Sequence, residues 1–503
     1  MTSDTDIKKE VNEGLKWVGM ASSMVGVLDL VAQVIILAFW ITPAQFGAAV
    51  AAISLFPILD KATDMGLSAA VIQRDDHTPE KISTVFWLNL AMSLVMFASI
   101  AFLFGPALSS FHGKEVIGAL LTLYGTKLIW QNVYFMPSAL MRREMRFREL
   151  SIIRMFANVA EFAGKVGFAP IFGVWCFVLG PLCRVLVTGI GTQICYPWRP
   201  KFVLRIREAM DWFWFGVKTS SSQVLFFAYT NVDYQIVGFF WGHAALGFYK
   251  LAYDIVLDPC RIMADVVTQI AFPAFAKIKH QTSKLVDQFI AFAKINLVVL
   301  LAFLGAIFIP AEELLGFWGA KWAPTAPAIR VLCLVGVLRA LSFIVPPLLD
   351  GIGKPGLTLI YMLVAAIALP TSFMVAAHLY GYDYYPVNNP GAFPYPGGWD
   401  LGFMAMCWAW AVGYPFAFAV LFVLALRQLR LRVRTYLART MGIPLCAGVA
   451  VLVSWGVIQL LGWAPFYLRF VVTAASMVAV FFVLLAYTQG ISPRTVKAAL
   501  KGD

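Results

Sequence analysis

The sequence predicts an all-α polytopic membrane protein with about 14 transmembrane helices. They are expected to form two six-helix lobes, related by a pseudo-two-fold along the membrane normal, plus two extra C-terminal helices. Three observations carry this prediction. The first is composition: of 503 residues, 60% are hydrophobic and 13% charged, with mean hydropathy +0.78, whereas soluble domains are about 45–50% apolar and about 25% charged. A soluble enzyme is excluded at that step. The second is a succession of apolar runs of spanning length, each needing about 20 residues. The third is the placement of Lys and Arg in alternate loops, as the positive-inside rule requires.

Residues 1–13 carry Asp4, Asp6, Lys8, Lys9, Glu10 and Glu13 without a short apolar core and a small-residue cleavage site. They read as a cytoplasmic segment ahead of a first helix that is retained. Apolar runs follow at 14–40, 46–72, 82–104, 114–137, 149–171, 175–197, 212–241, 244–275, 283–309, 326–350, 355–378, 401–426, 440–462 and 465–488. Asp233, Lys250, Asp254, Asp258, Arg261 and Asp265 interrupt the seventh and eighth. Those two are still read as helices, because irregular backbone at membrane depth leaves peptide groups unsatisfied. Of the 39 Lys and Arg, 25 fall in one set of loops, among them Lys81, Arg142, Arg143, Arg146, Arg148 and Lys201. Only Lys114 and Lys321 fall in the opposite set. That asymmetry predicts cytoplasmic N- and C-termini. Loop 379–400 is the one long external connection, rich in Tyr, Pro, Gly and Asn and free of Lys and Arg.

An internal repeat supports the two-lobe expectation. Gly14-Leu15-Lys16 and the hinge Trp40-Ile41-Thr42-Pro43-Ala44-Gln45-Phe46-Gly47 recur in kind about 200 residues later, as Gly216-Val217-Lys218 and Trp241-Gly242-His243-Ala244-Ala245-Leu246-Gly247. An offset of six helices gives two halves of the same orientation. The expected division is an N-lobe 14–197, a cytoplasmic linker 198–211, a C-lobe 212–426, and a terminal region 427–503 with helices 13 and 14 and a cytoplasmic tail.

The net charge of +12 is no nucleic-acid footprint, since the cations lie in small groups between apolar runs rather than on one face. Seven cysteines, without a C-x-x-C pair, read as buried small hydrophobes. The literal G-x-G-x-x-G at Gly351–Gly356 sits in a short inter-helix loop, not after a strand, and does not read as a nucleotide site. No ATP-binding, zinc-protease or serine-hydrolase motif appears, and the five histidines are scattered among loops and helix ends. No cofactor is expected.

Twelve cations remain within the spans: Lys61, Lys127, Arg154, Lys165, Arg184, Lys218, Lys250, Arg261, Lys294, Arg330, Arg339 and Arg469. Each costs about 3 kcal/mol or more at a lipid-exposed mid-helix position, so they are expected to face protein or an aqueous cavity. Some have acids at helical spacing: Asp60 and Asp64 near Lys61, Glu161 with Lys165, Lys250 with Asp254, and Asp258 and Asp265 around Arg261. Lys218, Arg330 and Arg469, near span ends, suit snorkelling. Lys127, Arg184, Lys294 and Arg339 are mid-span with no acid three or four residues away. Unless an acid on another helix pairs them, they give surplus positive charge suited to a phosphate or diphosphate. Lys127, Arg184 and Arg339 are the leading candidates, with Lys61, Arg154, Lys294 and Arg261 behind them. Asp29, Asp64, Glu161 and Asp233 are candidates for proton or sodium coupling, or for pairing with those cations.

Several stretches carry a family resemblance: Asp64-Met65-Gly66-Leu67-Ser68-Ala69-Ala70-Val71-Ile72-Gln73-Arg74, Ser83-Thr84-Val85-Phe86-Trp87-Leu88-Asn89, Pro137 to Phe147, Asn231-Val232-Asp233 leading to Ala245-Leu246-Gly247-Phe248-Tyr249, and Trp318 to Pro324. Over 14–375 the chain resembles the Wzx/WzxC-type polysaccharide flippases of the multidrug/oligosaccharidyl-lipid/polysaccharide exporter superfamily. The resemblance implies a non-enzymatic transporter of the bacterial inner membrane. It would move undecaprenyl-diphosphate-linked oligosaccharide by alternating access, with membrane lipids and other polysaccharide-assembly proteins as partners and no nucleic acid. Phe39-Trp40 stand where the family has a basic residue ahead of its hinge, which removes one expected polar contact. Two alternatives stay open at the level of sequence. A multidrug or cation-coupled exporter of the same superfamily would favour an acidic cavity. A membrane-embedded polymerase or glycosyltransferase would need a gripping base or cation that loop 379–400 does not contain.

Overall fold

A computed structural model of the chain describes residues 4–73, 78–381 and 402–490, and among these there is no β-strand. Most of the external loop expected at 379–400, the loop residues Arg74–His77 and the tail beyond Gly490 lie outside the described residues. The chain forms two compact units, Met1–Gly247 and Phe248–Asp503.

In the first unit, α1 (Asp4–Phe39) is continuous, so residues 4–13 are helical and run directly into the first span. The second apolar run is broken into α2 (Pro43–Ile53), α3 (Phe56–Asp64) and α4 (Leu67–Gln73). Thr42 starts α2 with a capping box: its hydroxyl accepts from the Gln45 N–H and the Gln45 side chain accepts from the Thr42 N–H. Pro43, at the first turn, needs no N–H partner there. Left-handed Met65 (φ 41°) and Gly66 (φ 67°) end α3. Gly66 also lies against Gly216, where a Cβ on either would overlap backbone. The run continues with α5 (Pro79–Ser99), a π-helical turn at Ile100–Phe104, α6 (Gly105–His112), α7 (Glu115–Trp130), α8 (Asn132–Arg143), α9 (Phe147–Phe172), α10 (Cys176–Cys195) and α11 (Ile206–Phe240). The expected linker 198–211 is extended only to Arg205, because α11 begins at Ile206. Its extended part is pinned to α5: the Trp87 indole donates to the Lys201 carbonyl (2.9 Å), and the Arg205 N–H donates to Thr84 Oγ1 (3.0 Å).

The second unit holds most of α12 (Gly242–Ile278), then α13 (Thr282–Phe308), the short α14 (Ala311–Leu315), α15 (Ala326–Ser342), α16 (Val345–Gly351), α17 (Pro355–Gly381), α18 (Met404–Leu429), α19 (Val433–Thr440), α20 (Gly442–Leu460) and α21 (Phe466–Gln489). Helices α20 and α21, the expected thirteenth and fourteenth spans, share an apolar core with α13 built on Leu297, Leu301, Ala450, Met477 and Phe481.

Among the described residues, ten segments are long and apolar enough to cross a membrane, with α9 and α10 merged as one. The α7–α8 pair is divided into pieces too short to qualify, and α11 and α12 are too polar. Counting these as well is consistent with fourteen spans. Buried amides and hydroxyls between α5 and the α7–α8 break pair with one another, which lowers the cost of placing them in hydrocarbon. Asn89 donates to Asn132 Oδ1 (2.8 Å), and Asn132 donates to Ser93 Oγ (2.9 Å), which ties α5 to the α7–α8 break.

Candidate functional site

The cations that the sequence leaves within the membrane separate into neutralised and unneutralised groups. In the seam between α9 and α10, Gly164 lies 3.2 Å (Cβ position) from Gly180 Cα, and a Cβ on Gly180 would overlap Lys165. Small residues let the helices approach closely. That approach places buried Glu161 between Lys165 Nζ (2.8 Å) and Arg184 Nη1 (2.8 Å), while Asp29 of α1 reaches the same Lys165 Nζ (3.4 Å). Arg184, without an acid on its own helix, is therefore paired across helices. Sequence spacing could not show this, because the acid lies 23 positions away on a neighbouring helix.

Lys61 and Lys127 are different. Both line a cavity of about 240 Å³ together with Phe56, Asp60, Tyr124 and Phe227. The breaks that isolate α3 turn Lys61 toward α7, where Lys127 lies one turn before the α7–α8 break. Lys127 Nζ sits 4.6 Å from the Phe56 ring centre and 5.4 Å from that of Tyr124. Ring faces stabilise a cation without saturating its donors. Among the described residues neither lysine makes an ion pair. Among the described residues neither Asp60 nor Asp64 closes to an ion pair with Lys61, although both remain its near neighbours on α3. Asp64 instead accepts from the Ser68 hydroxyl (3.0 Å) across the α3–α4 break.

In the second unit Arg339 is 7% exposed and sits in an aromatic cage. Its guanidinium carbon lies 5.3 Å from the Trp410 ring centre, 5.8 Å from Tyr414 and 5.9 Å from Tyr253. Nη1 donates to the Tyr253 hydroxyl (2.9 Å), while buried Nε has no hydrogen-bond partner among the described residues. The Nε edge is one of the two through which a guanidinium grips a two-oxygen anion, and with Nη1 engaged by Tyr253 it is the one left open. Lys294, on α13, is half-buried and makes no ion pair among the described residues.

The other candidates have structural partners. Lys250 pairs with Asp254 and with Asp258 (3.7 Å), and Arg261, exposed, reaches Asp258 at 4.0 Å. This is the expected self-neutralised ladder; the Asp265 side chain lies outside the described residues. Arg154 is exposed and donates to Ser22 Oγ (3.3 Å). Arg330 pairs with Glu312 (3.1 Å), and Arg469 pairs with buried Glu313 (2.6 Å), so Arg469 anchors α21 to α14 rather than snorkelling. The Lys218 side chain lies outside the described residues. Asp233 is fully buried, and its Oδ1 accepts from the Tyr234 N–H (3.0 Å).

Two features escaped sequence reasoning. Lys81, counted as a loop cation, has its side chain 8% exposed, 3.2 Å from Asp211 and 4.8 Å from the Trp212 ring centre. His112 and His243, read as scattered, have ring centres 5.2 Å apart. The only sequence signal for either was position in the chain: Lys81 opens α5 three residues after its cap, and His243 lies in the repeated hinge.

The family described as "Polysaccharide biosynthesis protein" matches residues 36–327. The teichuronic acid biosynthesis protein TuaB of Bacillus subtilis (strain 168) is 28% identical over 340 residues, which cover 67% of this chain and 70% of that one. The lipopolysaccharide biosynthesis protein WzxC of Escherichia coli (strain K12) is 25% identical over 352 residues, 67% of this chain and 69% of that one. Among solved structures, the lipid II flippase MurJ in an inward closed conformation matches with a TM-score of 0.67 at 15% identity, over 93% of this chain and 98% of that chain. At that identity the likeness shows a shared all-helical membrane fold. With the family matched over more than half its length, this multi-pass membrane chain belongs to the polysaccharide biosynthesis protein family.

Proposed function

We propose that the chain is a non-enzymatic flippase. It moves an undecaprenyl-diphosphate-linked oligosaccharide from the inner to the outer leaflet of the bacterial inner membrane, for exopolysaccharide or other surface polysaccharide, with both termini cytoplasmic. The observation that carries this reading is the cavity with Lys61 and Lys127, two cations that make no ion pair among the described residues, in a largely apolar and aromatic wall to which Asp60 adds one carboxylate. In such a low-dielectric site an incoming diphosphate gains charge-assisted hydrogen bonds from two ammonium groups that no ion pair already engages, and the two cations outnumber the one carboxylate, Asp60, in the wall. Arg339, desolvated and with an unpartnered Nε, supplies the second-unit counterpart. Lys294 is a weaker candidate by the same criterion. Arg184 acts through its pair with Glu161, and Arg154 and Arg261, being exposed, are peripheral to this reading.

The cavity holds about 240 Å³, below the roughly 300–1,000 Å³ of sites that enclose a drug-sized ligand. It accommodates a diphosphate group but not an oligosaccharide. A cavity of that size fits an alternating-access cycle in which it widens as substrate enters, and a proton or sodium gradient would drive the cycle. The lipid II flippase likeness and the polysaccharide names of the relatives support the same direction.

The test is reconstitution in liposomes with fluorescent undecaprenyl-diphosphate-linked oligosaccharides of differing sugar length, with and without proton and sodium gradients. Loss of one charge-assisted contact, about 1.5–3 kcal/mol, predicts that Lys127→Ala slows translocation by roughly 10- to 150-fold at normal protein level. A Lys61→Ala/Lys127→Ala double variant that flips substrate at the wild-type rate would refute the site.

A further inference from the structure

The two hinges that repeat along the sequence meet in space. A Cβ on Gly47 would overlap the His243 carbonyl, and a Cβ on Gly247 would overlap the Pro43 carbonyl. Positions 43 and 47 thus contact 247 and 243 reciprocally, as a local two-fold requires. The N-terminal turns of α2 and α12 are locked backbone to backbone.

Beside this lock lie the two histidines. His112, ending α6, has Nε2 3.0 Å from Gln235 Oε1. Gln235 in turn donates through Nε2 to the Ala51 carbonyl (2.9 Å) and to Ser54 Oγ (2.8 Å), which orients its amide. Because Oε1 only accepts, His112 carries its proton on Nε2, and buried Nδ1 keeps a lone pair with no partner. His243 is 8% exposed, and its Nε2 is also buried without a partner. Among the described residues His112 contacts Gln235, the Phe111 ring and the His243 ring, Lys114 is the charged group whose field reaches His243, and no carboxylate makes a hydrogen bond or ion pair with either imidazole. A proton on either ring creates a cation next to a second base and, at His243, near a like charge. The new N–H has no acceptor while the contact is shut. Water admitted by opening would supply one.

We propose that His112 and His243 form a proton-binding latch: the neutral pair accompanies the closed α2–α12 contact, and uptake of a proton from the adjoining aqueous phase opens it. On the orientation argued above, that phase is the external one, on which a respiring membrane accumulates protons. The proton adds to an imidazole nitrogen on opening and returns to water on closure, so the step balances without another reactant. The inference rests on the flippase reading for its purpose but not for its measurement. It also differs from the four carboxylates singled out for coupling, since Asp29 and Glu161 are already engaged with Lys165.

Spin labels at Ala44→Cys and Ala244→Cys, in an otherwise cysteine-free full-length chain in nanodiscs, report the contact by electron–electron distance. Measurements at about pH 8 and about pH 5.5 bracket an ordinary imidazole. One short distance is expected at high pH, with a longer component of at least about a third of the population at low pH. His112→Gln/His243→Gln should keep the short distance at both. An unchanged pH response in that double variant, or none in the labelled parent, overturns the latch. If the double variant does not elute as a monodisperse species, His112→Gln alone must weaken the low-pH component, and failure to do so is equally fatal. No lipid-linked substrate is needed. A pH-independent contact in a protein that still flips oligosaccharide therefore overturns the latch alone, and a pH-responsive contact in one that does not flip overturns the flippase reading alone.

Discussion

Replacing Glu161 by Gln keeps the volume of a buried side chain and removes only its charge. Glu161 has a side chain 5% exposed and lies 2.8 Å from each of Lys165 and Arg184. Breaking a fully buried pair costs about 3–5 kcal/mol, because the remaining charge is left desolvated and unpaired. Here two factors reduce that figure. The Arg184 side chain is 35% exposed, so water screens part of its charge, and Lys165 retains Asp29 at 3.4 Å. A destabilisation of about 2–3 kcal/mol is expected, read as the free energy of reversible unfolding in mixed micelles titrated with a denaturing detergent. The coupling must also be visible. Arg184→Gln added to Glu161→Gln should recover at least about 1 kcal/mol relative to the sum of the single changes, within the range found for contacting residues. Stability of Glu161→Gln within about 0.5 kcal/mol of the parent, or strict additivity of the two changes, would refute the reasoning that this triad neutralises the α9–α10 seam.

Other perturbations separate structural from functional cations. Arg339→Met removes a desolvated charge with no carboxylate partner, and burying such an ion costs several kcal/mol, so this variant should unfold no more easily than the parent while losing oligosaccharide flipping. Arg339→Lys should lose flipping as well, since an ammonium cannot present the planar Nε edge, and normal transport by either variant would remove Arg339 from the site. Gly247→Val puts side-chain atoms into the Pro43 carbonyl, so the distance between labels at Ala44 and Ala244 should lengthen at every pH. Glu313→Gln strips half-buried Arg469 of its buried partner (2.6 Å), and limited proteolysis should then release the α20–α21 pair before the rest of the second unit.

How much of this was legible in the sequence depends on the range of the interaction. Local rules served well where partners lie within a turn or two. Thr42, Pro43 and Gln45 start α2 as a capping box, and Lys250 meets Asp254 and Asp258 on its own helix. The same local rules failed where the partner lies on another helix. Arg184 looked unpaired and is paired; Lys61 looked paired and is not; Arg469 looked like a snorkelling residue and is anchored. Lys81 was assigned to a loop because it is charged and near a helix start, yet Asp211 and Trp212, about 130 positions away, bury it.

Composition, apolar periodicity and the distribution of Lys and Arg therefore determined that this is a helical multi-pass membrane protein, because the cost of exposing peptide groups and charges to hydrocarbon acts on every segment independently. Which cations remain without a counter-ion was decided by the tertiary structure. Ion pairing depends on a few ångströms between helices, set by glycine contacts such as Gly164 with Gly180 and by the breaks that turn α3 toward α7. No spacing along one chain segment encodes that distance. The same is true of the meeting of Gly47 with His243 and of Gly247 with Pro43: the repeat was readable, but that its two copies lock against each other beside two imidazoles, each with one buried unpartnered nitrogen, appears only once the helices are packed.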